Sequence, residues 1–158
     1  MNKVDLVDDM QFVFGAVLIV ANRMDTLLER ELKQYDVTSK QWFLSIVLDS
    51  LFENPPTIKE VAREMGSSHQ NVKQVALKLE QKGLLKMEKD KSDARATRLA
   101  LTEKSDLFWA SMEEKAVAFT QCLFEGIEKE DLSRTRTVLG KMRSNLVEME
   151  NSEVEGLE

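Results

Sequence analysis

Several residue types that would indicate particular functions are scarce in this chain. It has one cysteine and one histidine, which excludes an internal disulfide and a histidine-rich metal centre. Two prolines and six glycines leave long stretches without helix breakers. We therefore expect a mainly α-helical protein without a metal or other cofactor. Its 158 residues allow one domain, or a small domain with an oligomerisation element.

Motifs of the common enzyme classes are also missing from the sequence. It has no phosphate-binding loop, no paired cysteines and no nucleophile beside a histidine at a recognisable spacing. The apolar run at residues 12–21 is shorter than the roughly 20 residues that a membrane span requires. Asp5, Asp8 and Asp9 stand where a secretory signal would carry positive charge. The sequence predicts a cytoplasmic protein that is neither an enzyme nor a membrane protein.

Charge is unevenly distributed along the chain. Its net charge is −6, but residues 57–101 contain ten Lys and Arg against six Asp and Glu. This segment therefore carries +4, and the remainder of the chain carries −10. A basic segment with acidic flanks favours a polyanionic partner.

Apolar spacing and capping signals divide the first part of the chain into four helices. Met10 to Leu32 contain a stripe with three- and four-residue steps, which predicts a long first helix. Thr38-x-x-Gln41, Thr57-x-x-Glu60 and Ser67-x-x-Gln70 have the form of capping boxes, and glycines follow the third and fourth helices. Two short helices joined by a glycine-containing turn predict a helix-turn-helix.

A strand pair and two further helices are predicted in the rest of the chain. Alternating apolar residues near Leu85 and Leu99 predict a hairpin with a polar tip at residues 89–97. A fifth helix is predicted between Thr102 and Gly126. A sixth has Leu132, Leu139 and Leu146 at one heptad position, and Thr135, Met142 and Met149 at the other seam position. The heptads favour an intersubunit seam, although packing on the same chain would give the same pattern.

The order of these elements resembles the MarR family of bacterial transcription regulators. The local matches are Thr38-x-x-Gln41-Trp42, Val61-Ala62-Arg63-Glu64-Met65-Gly66, Ser68-x-x-Asn71-Val72, Leu79-Glu80-Gln81-Lys82-Gly83-Leu84-Leu85, Asp93-Ala94-Arg95 and Leu99-x-Leu101-Thr102. The resemblance implies a winged helix-turn-helix domain at 37–101 and a helical dimerisation region at 1–36 and 102–150. A flexible acidic tail is expected at 151–158.

The resemblance also implies a function, a repressor that binds double-stranded operator DNA as a homodimer. The recognition helix enters the major groove, and the arginine of the hairpin, or wing, lies near the minor groove. The implied DNA-binding residues are Ser68, His69, Gln70, Asn71, Lys73 and Gln74 on the helix, and Lys89, Lys91, Asp93 and Arg95 on the wing. Lys73 and Gln74 depart from the family, whose members often have a small polar residue and an arginine there.

Two further sites and one alternative function remain open. Family members often bind small phenolic or carboxylate effectors, so Phe14, Trp42 and Trp109 are candidate lining residues, although aromatic residues at helical spacing usually belong to a core. Cys122 is expected to be a packed thiol, with redox sensing as the alternative. A winged helix that binds protein instead of DNA is the alternative in another class, and it predicts a recognition face of mixed charge.

Overall fold

The structure is a computed structural model that describes residues 8–155. Its contacts divide the chain into two compact units, Met1–Ala110 and Ser111–Glu158. The first unit contains helices α1 (Asp9–Lys33), α2 (Ser39–Leu51), α3 (Ile58–Met65), α4 (His69–Gln81) and α5 (Glu103–Ala110), with strands β1 (Leu85–Lys89) and β2 (Thr97–Leu101). The second unit contains α6 (Glu113–Leu123) and α7 (Lys129–Glu155). The predicted fold class, mainly helical with a two-stranded wing, is confirmed.

Capping boxes begin α2 and α3 where the sequence predicts them. The Gln41 amide donates to the Thr38 hydroxyl at 3.2 Å, and the Thr38 amide donates to the Gln41 side chain at 3.3 Å. Thr57 and Glu60 form the same reciprocal pair at 3.2 and 2.6 Å. Each pair satisfies two amides that have no partner within the helix.

The cap of α4 is Ser68, one of the two serines, Ser67 and Ser68, at which the sequence allows the fourth helix to begin. Ser68, and not Ser67, accepts the hydrogen bond that begins the helix, from the Asn71 amide at 3.1 Å. The Ser67 amide is already used at the end of α3, where it donates to the Ala62 carbonyl at 2.9 Å. Gly66 adopts the left-handed conformation between them, with φ of 59°. The turn therefore closes α3 before α4 can begin.

Strands β1 and β2 form an antiparallel hairpin, the wing, with Leu85 opposite Leu101 and Met87 opposite Leu99. The loop before α3 pairs with the edge of β2 that faces away from β1. The Leu99 amide donates to the Pro56 carbonyl at 2.8 Å, and Thr57 forms a β-bridge with Arg98. The wing is thus joined to the helix-turn-helix by backbone hydrogen bonds.

One apolar core lies beneath the helix-turn-helix and the wing. Its buried residues come from α2, α3, α4, the Leu84–Leu85 junction and β2: Leu44, Val47, Leu48, Ile58, Val61, Ala62, Val72, Ala76, Leu79, Leu84, Leu85 and Leu99. Burying each large aliphatic side chain contributes about 1.5–3 kcal/mol relative to exposure. Helix α4 and the hairpin are consequently held against the same set of side chains.

The predicted fifth helix is wrong in its extent. Thr102 begins it as expected, with its hydroxyl accepting from the Ser105 amide at 3.2 Å, but the helix ends at Ala110 and α6 begins at Glu113. Apolar steps continue through Phe108 and Met112 with no glycine or proline between them, so periodicity alone conceals the break.

The last helix extends into the expected tail, whose flexibility stays a prediction. Helix α7 continues to Glu155, beyond residue 150 where a flexible tail is expected. Because asparagine, serine and glutamate are tolerated in a helix, the polar composition of this segment does not end the helix. Residues 1–7 of the predicted dimerisation region and residues 156–158 of the tail lie outside the described residues.

Helix α1 is more apolar and longer than the run at residues 12–21 suggests. Its 25 residues pass as a membrane span by length and composition, with a mean hydropathy of 1.3 over the most apolar stretch. The shortness of the apolar run at residues 12–21 therefore does not exclude a membrane span. Phe12, Phe14, Leu18 and Ile19 are each more than half exposed, so the helix has an apolar face that needs a cover.

We predict that Gly66→Ala lowers the free energy of unfolding by about 1–2 kcal/mol, because a Cβ is disfavoured in the left-handed region. Chemical denaturation measures this change. Gly66→Asn is the matched variant and should lose less, since asparagine tolerates that conformation better. No space limits either side chain, as nothing lies within 4 Å of a Cβ at this position. Equal losses in the two variants would contradict the conformational explanation.

Candidate nucleic-acid interface

Helix α4 presents a polar face to solvent. Its opposite side buries Val72, Ala76 and Leu79 and packs against α2, α3 and β1. Every predicted recognition residue lies on the exposed surface: Ser68, His69, Gln70, Asn71, Lys73 and Gln74. Three amide side chains on this face offer donors and acceptors together, as base edges in the major groove require. The structure places these residues where a duplex can reach them, and their contact with DNA stays a prediction.

The wing tip presents a second exposed surface. Lys89, Lys91, Asp93 and Arg95 are all exposed there. The Arg95 amide donates to the Asp93 carboxylate at 2.9 Å. This bond supports orientation of the loop backbone by Asp93, and Arg95 itself is exposed.

Asp90 is a functional candidate that sequence reasoning missed. Its side chain is buried and accepts hydrogen bonds from the Ser92 amide at 2.8 Å, the Ser92 hydroxyl at 2.6 Å and the Asp93 amide at 2.8 Å. It also forms an ion pair with Arg98. The Ser92 hydroxyl, with the Asp93 amide and Arg98, holds the pKa of Asp90 well below its ordinary value. An aspartate at a strand end with a serine two residues later, Asp90-x-Ser92, is the turn signal that could have identified it.

Several acidic residues of the basic segment are occupied by hydrogen bonds within the protein. Carboxylates of Glu60, Glu80, Asp90 and Asp93 each accept from a backbone amide, that of Thr57, Met87, Ser92 and Arg95 respectively. The backbone amide and hydroxyl of Thr57 lower the pKa of Glu60. Among residues 8–155 no ion pair involves the exposed cations Lys73, Lys89, Lys91 and Arg95. These carboxylates keep their negative charge, but their oxygens are engaged by backbone donors, whereas the four cations are exposed to solvent.

Lys82 belongs to the same basic segment but has a structural role. Its ammonium group bonds to the carbonyl of Asp36 and to the carboxylate of Asp36, the latter at 2.8 Å. This contact lowers the pKa of Asp36, which adopts a left-handed conformation with φ of 56°. The Lys82 carbonyl also accepts from Lys104 at 2.7 Å. Counting lysines along the sequence therefore overstates the charge that faces outward.

The aromatic residues proposed for an effector pocket lie in different surroundings. Phe14 is 67% exposed on α1, and Trp42 and Trp109 are half-buried. Trp109 packs edge-on against Phe108, with ring centroids 4.8 Å apart. Two surface grooves near α2 and α4 are lined by Gln41, Lys78 and their neighbours, without any of the three aromatic residues. An effector pocket at Phe14, Trp42 and Trp109 stays a prediction.

Cys122 is exposed on α6, so the expectation of a packed thiol is wrong. The apolar neighbour Leu123 suggested burial, but α6 contains no buried residue, and helical spacing alone does not show which side is covered. Within residues 8–155 no group of three or more His, Cys, Asp or Glu could hold a metal ion.

We predict that the stability difference between the wild type and Asp90→Asn shrinks as the pH falls below about 4. The pKa of Asp90 is lower in the folded state, so its ionised form stabilises the fold above the unfolded pKa of about 3.9. That contribution is lost on acidification. Thermal melts from neutral pH to about pH 3 measure the difference, because the other carboxylates titrate in both proteins. A difference that is constant with pH would contradict the assignment.

Solved structures of transcription regulators have the same fold as this chain. A MarR/EmrR family regulator from Acinetobacter sp. ADP1 matches with a TM-score of 0.76 and 18% identity, over 89% of this chain and 98% of that one. AbsC, a MarR family regulator from Streptomyces coelicolor, matches with a TM-score of 0.74 and 20% identity, over 89% and 96%. The S. aureus MepR–DNA complex matches with a TM-score of 0.71 and 19% identity, over 88% and 99%.

No family model matches the sequence, so the likeness rests on the fold. The matches with the Acinetobacter and Streptomyces regulators each cover 89% of this chain. This chain has the winged helix-turn-helix fold of the MarR-family transcription regulators.

Proposed function

We propose that the protein is a sequence-specific regulator that binds double-stranded DNA as a homodimer. The observation that carries the proposal is the shared core, which holds the amide-rich face of α4 and the cationic wing tip in one rigid unit. A neighbour of the same fold, MepR, has been solved as a DNA complex. Recognition helices and wings are an established way to read the grooves of a duplex.

The side chains of the two surfaces suit different parts of DNA. Gln70, Asn71 and Gln74 match the N6 and N7 atoms of adenine in the major groove, which gives sequence preference. Lys73 and the wing lysines match phosphates, which position the protein without specifying sequence. Arg95 on the wing suits the narrow minor groove or its phosphates. A protein-binding winged helix would not need this excess of exposed cations.

Exposed apolar surface supports the homodimer. On α1, Val17, Leu18 and Val20 are exposed, and on α7 the heptad residues Leu139, Leu146 and Met149 are 45–61% exposed. Apolar faces of this extent on two long helices are typical of an interface between subunits. A two-fold dimer would place two recognition helices about 34 Å apart, which matches successive major grooves.

The simplest mode of action is repression in the cytoplasm, with the dimer covering a promoter. A small phenolic or other aromatic effector could release the dimer from DNA by favouring another dimer geometry. Nothing in the chemistry of the two surfaces calls for catalysis. The exposed Cys122 gives a thiol-based release some support, and oxidant-dependent loss of DNA binding that Cys122→Ser abolishes would favour it.

Selection of bound fragments from genomic DNA tests the proposal directly. We expect recovery of a two-fold symmetric site whose affinity falls steeply with salt, because phosphate contacts release counterions. Binding that is absent at low salt, or insensitive to salt, would favour a protein-binding module. Recovery of the protein with the membrane fraction would favour insertion of the apolar α1.

Arg95→Ala should leave the fold intact and weaken operator binding by about tenfold. The slope of affinity against salt should also fall by about 0.9 if Arg95 contacts one phosphate. Gel-shift titrations at several salt concentrations measure both quantities. Arg136→Ala, an exposed arginine on α7, is the matched control and should bind as the wild type does. An affinity of Arg95→Ala that equals that of the wild type across the salt titration would remove Arg95 from the interface.

Leu146→Asp should convert the dimer to a monomer, because the substitution puts a charge on the apolar seam of α7. Operator binding should weaken by about 100-fold or more, since the two recognition helices would no longer bind together. Sedimentation velocity measures the mass. Lys141→Asp, exposed and outside the heptad seam, is the control. A Leu146→Asp protein that remains a dimer would place the subunit interface elsewhere.

A further inference from the structure

The tip of the wing is organised around the Asp90 carboxylate. Asp90 follows β1 and is 9% exposed. One of its oxygens accepts from the Ser92 amide, the Ser92 hydroxyl and the Asp93 amide, at 2.8, 2.6 and 2.8 Å. The other is bonded by the Arg98 guanidinium. The Asp90 side chain therefore links the loop at the wing tip to β2.

Arg98 extends this network to the helix-turn-helix. Its Nη1 atom donates to the Pro55 carbonyl at 2.7 Å, in the loop that precedes α3. The bridge between Thr57 and Arg98 lies at the same point. Asp90 and Arg98 thus connect the wing tip to the segment from which the helix-turn-helix begins.

A chain of short-range bonds leads from Asp90 to Arg95. The amide of Asp90 donates to the Ala96 carbonyl at 3.1 Å, and the amide of Ala96 donates to the Asp93 carbonyl at 2.9 Å. The Arg95 amide is bonded to the Asp93 carboxylate. Arg95 itself is exposed, so the direction of its side chain depends on this backbone.

We propose that Asp90 and Arg98 are positioning residues for DNA binding, which order the wing tip so that Arg95 meets the duplex. The proposal rests on the proposed function, because it concerns the same surface. Its physical basis is preorganisation: a tip that is ordered in the free protein loses less conformational freedom when it binds. Charge-assisted bonds are strong enough to give this order.

A double-mutant cycle with Asp90→Ala and Arg95→Ala tests the proposal. Asp90→Ala should weaken operator binding about three- to tenfold in the wild-type background, as expected for the freedom of one or a few side chains. In the Arg95→Ala background it should have almost no effect, because Asp90 acts through Arg95. Independent, additive losses would overturn the proposal. So would tighter binding by Asp90→Ala, which would show that its negative charge only repels DNA.

Amide hydrogen exchange of the free protein separates this proposal from the proposed function. The Ser92 and Asp93 amides should exchange slowly in the wild type and in Arg95→Ala, and fast in Asp90→Ala. Fast exchange in the wild type would show that the tip is not preorganised and would overturn the proposal. If the wild type binds no duplex, the proposed function as a DNA-binding regulator is refuted. The exchange rates would still show whether Asp90 orders the wing tip.

Conservative variants keep the test valid if Asp90→Ala does not fold. Asp90→Asn retains an oxygen for the loop amides but loses the charge that attracts Arg98. Arg98→Lys retains the charge but is not expected to bond Asp90 and Pro55 together, because lysine lacks the planar fork of arginine. Both variants should weaken operator binding less than Asp90→Ala does, and in the Arg95→Ala background neither should have much effect. If the Ser92 and Asp93 amides of Arg98→Lys still exchange slowly but its salt slope falls by about 0.9, Arg98 contacts a phosphate directly. That result would overturn its positioning role.

Discussion

Burial of Leu85 and Leu99 in the core of the helix-turn-helix is the constraint on which the functional surface depends. Each strand of the wing contributes one of these side chains, and each is 1% exposed. An isolated two-stranded hairpin is marginally stable in water. Because the hairpin shares a core with α4, the wing and α4 hold a fixed relation, which the proposed contact with a duplex at two points requires.

Within this unit, the carboxylates of the basic segment differ from its exposed lysines in their hydrogen bonding. The backbone amides near the turns and strand ends need acceptors, and nearby carboxylates supply them. Glu60, Glu80, Asp90 and Asp93 are used in this way. Lys82 and Lys104 also bond within the fold, but Lys73, Lys89 and Lys91 are exposed to solvent. An acidic protein can therefore expose cations in its central segment while neighbouring carboxylates, although still charged, are engaged by the backbone.

Apolar surface has the opposite distribution. The central segment buries its aliphatic residues, whereas α1 and α7 leave many of theirs exposed. An isolated chain with such faces would associate, because apolar area exposed to water is unfavourable. A second copy of the chain is the cover that we propose for these faces, and by length and composition α1 alone also meets the requirements of a membrane span.

The sequence by itself determined the first four helices, the helix-turn-helix and the two strands of the wing, because capping, glycines at helix ends and alternating apolar residues are local signals. Thr38 and Thr57 show this directly, since each cap lies where its motif predicts. Tertiary structure decided what local signals do not contain. The break between α5 and α6, the exposure of Cys122 and the roles of Asp90, Arg98 and Lys82 depend on which distant groups come within hydrogen-bonding distance. Hydrophobic periodicity does not report such contacts, because packing determines them and spacing along the chain does not.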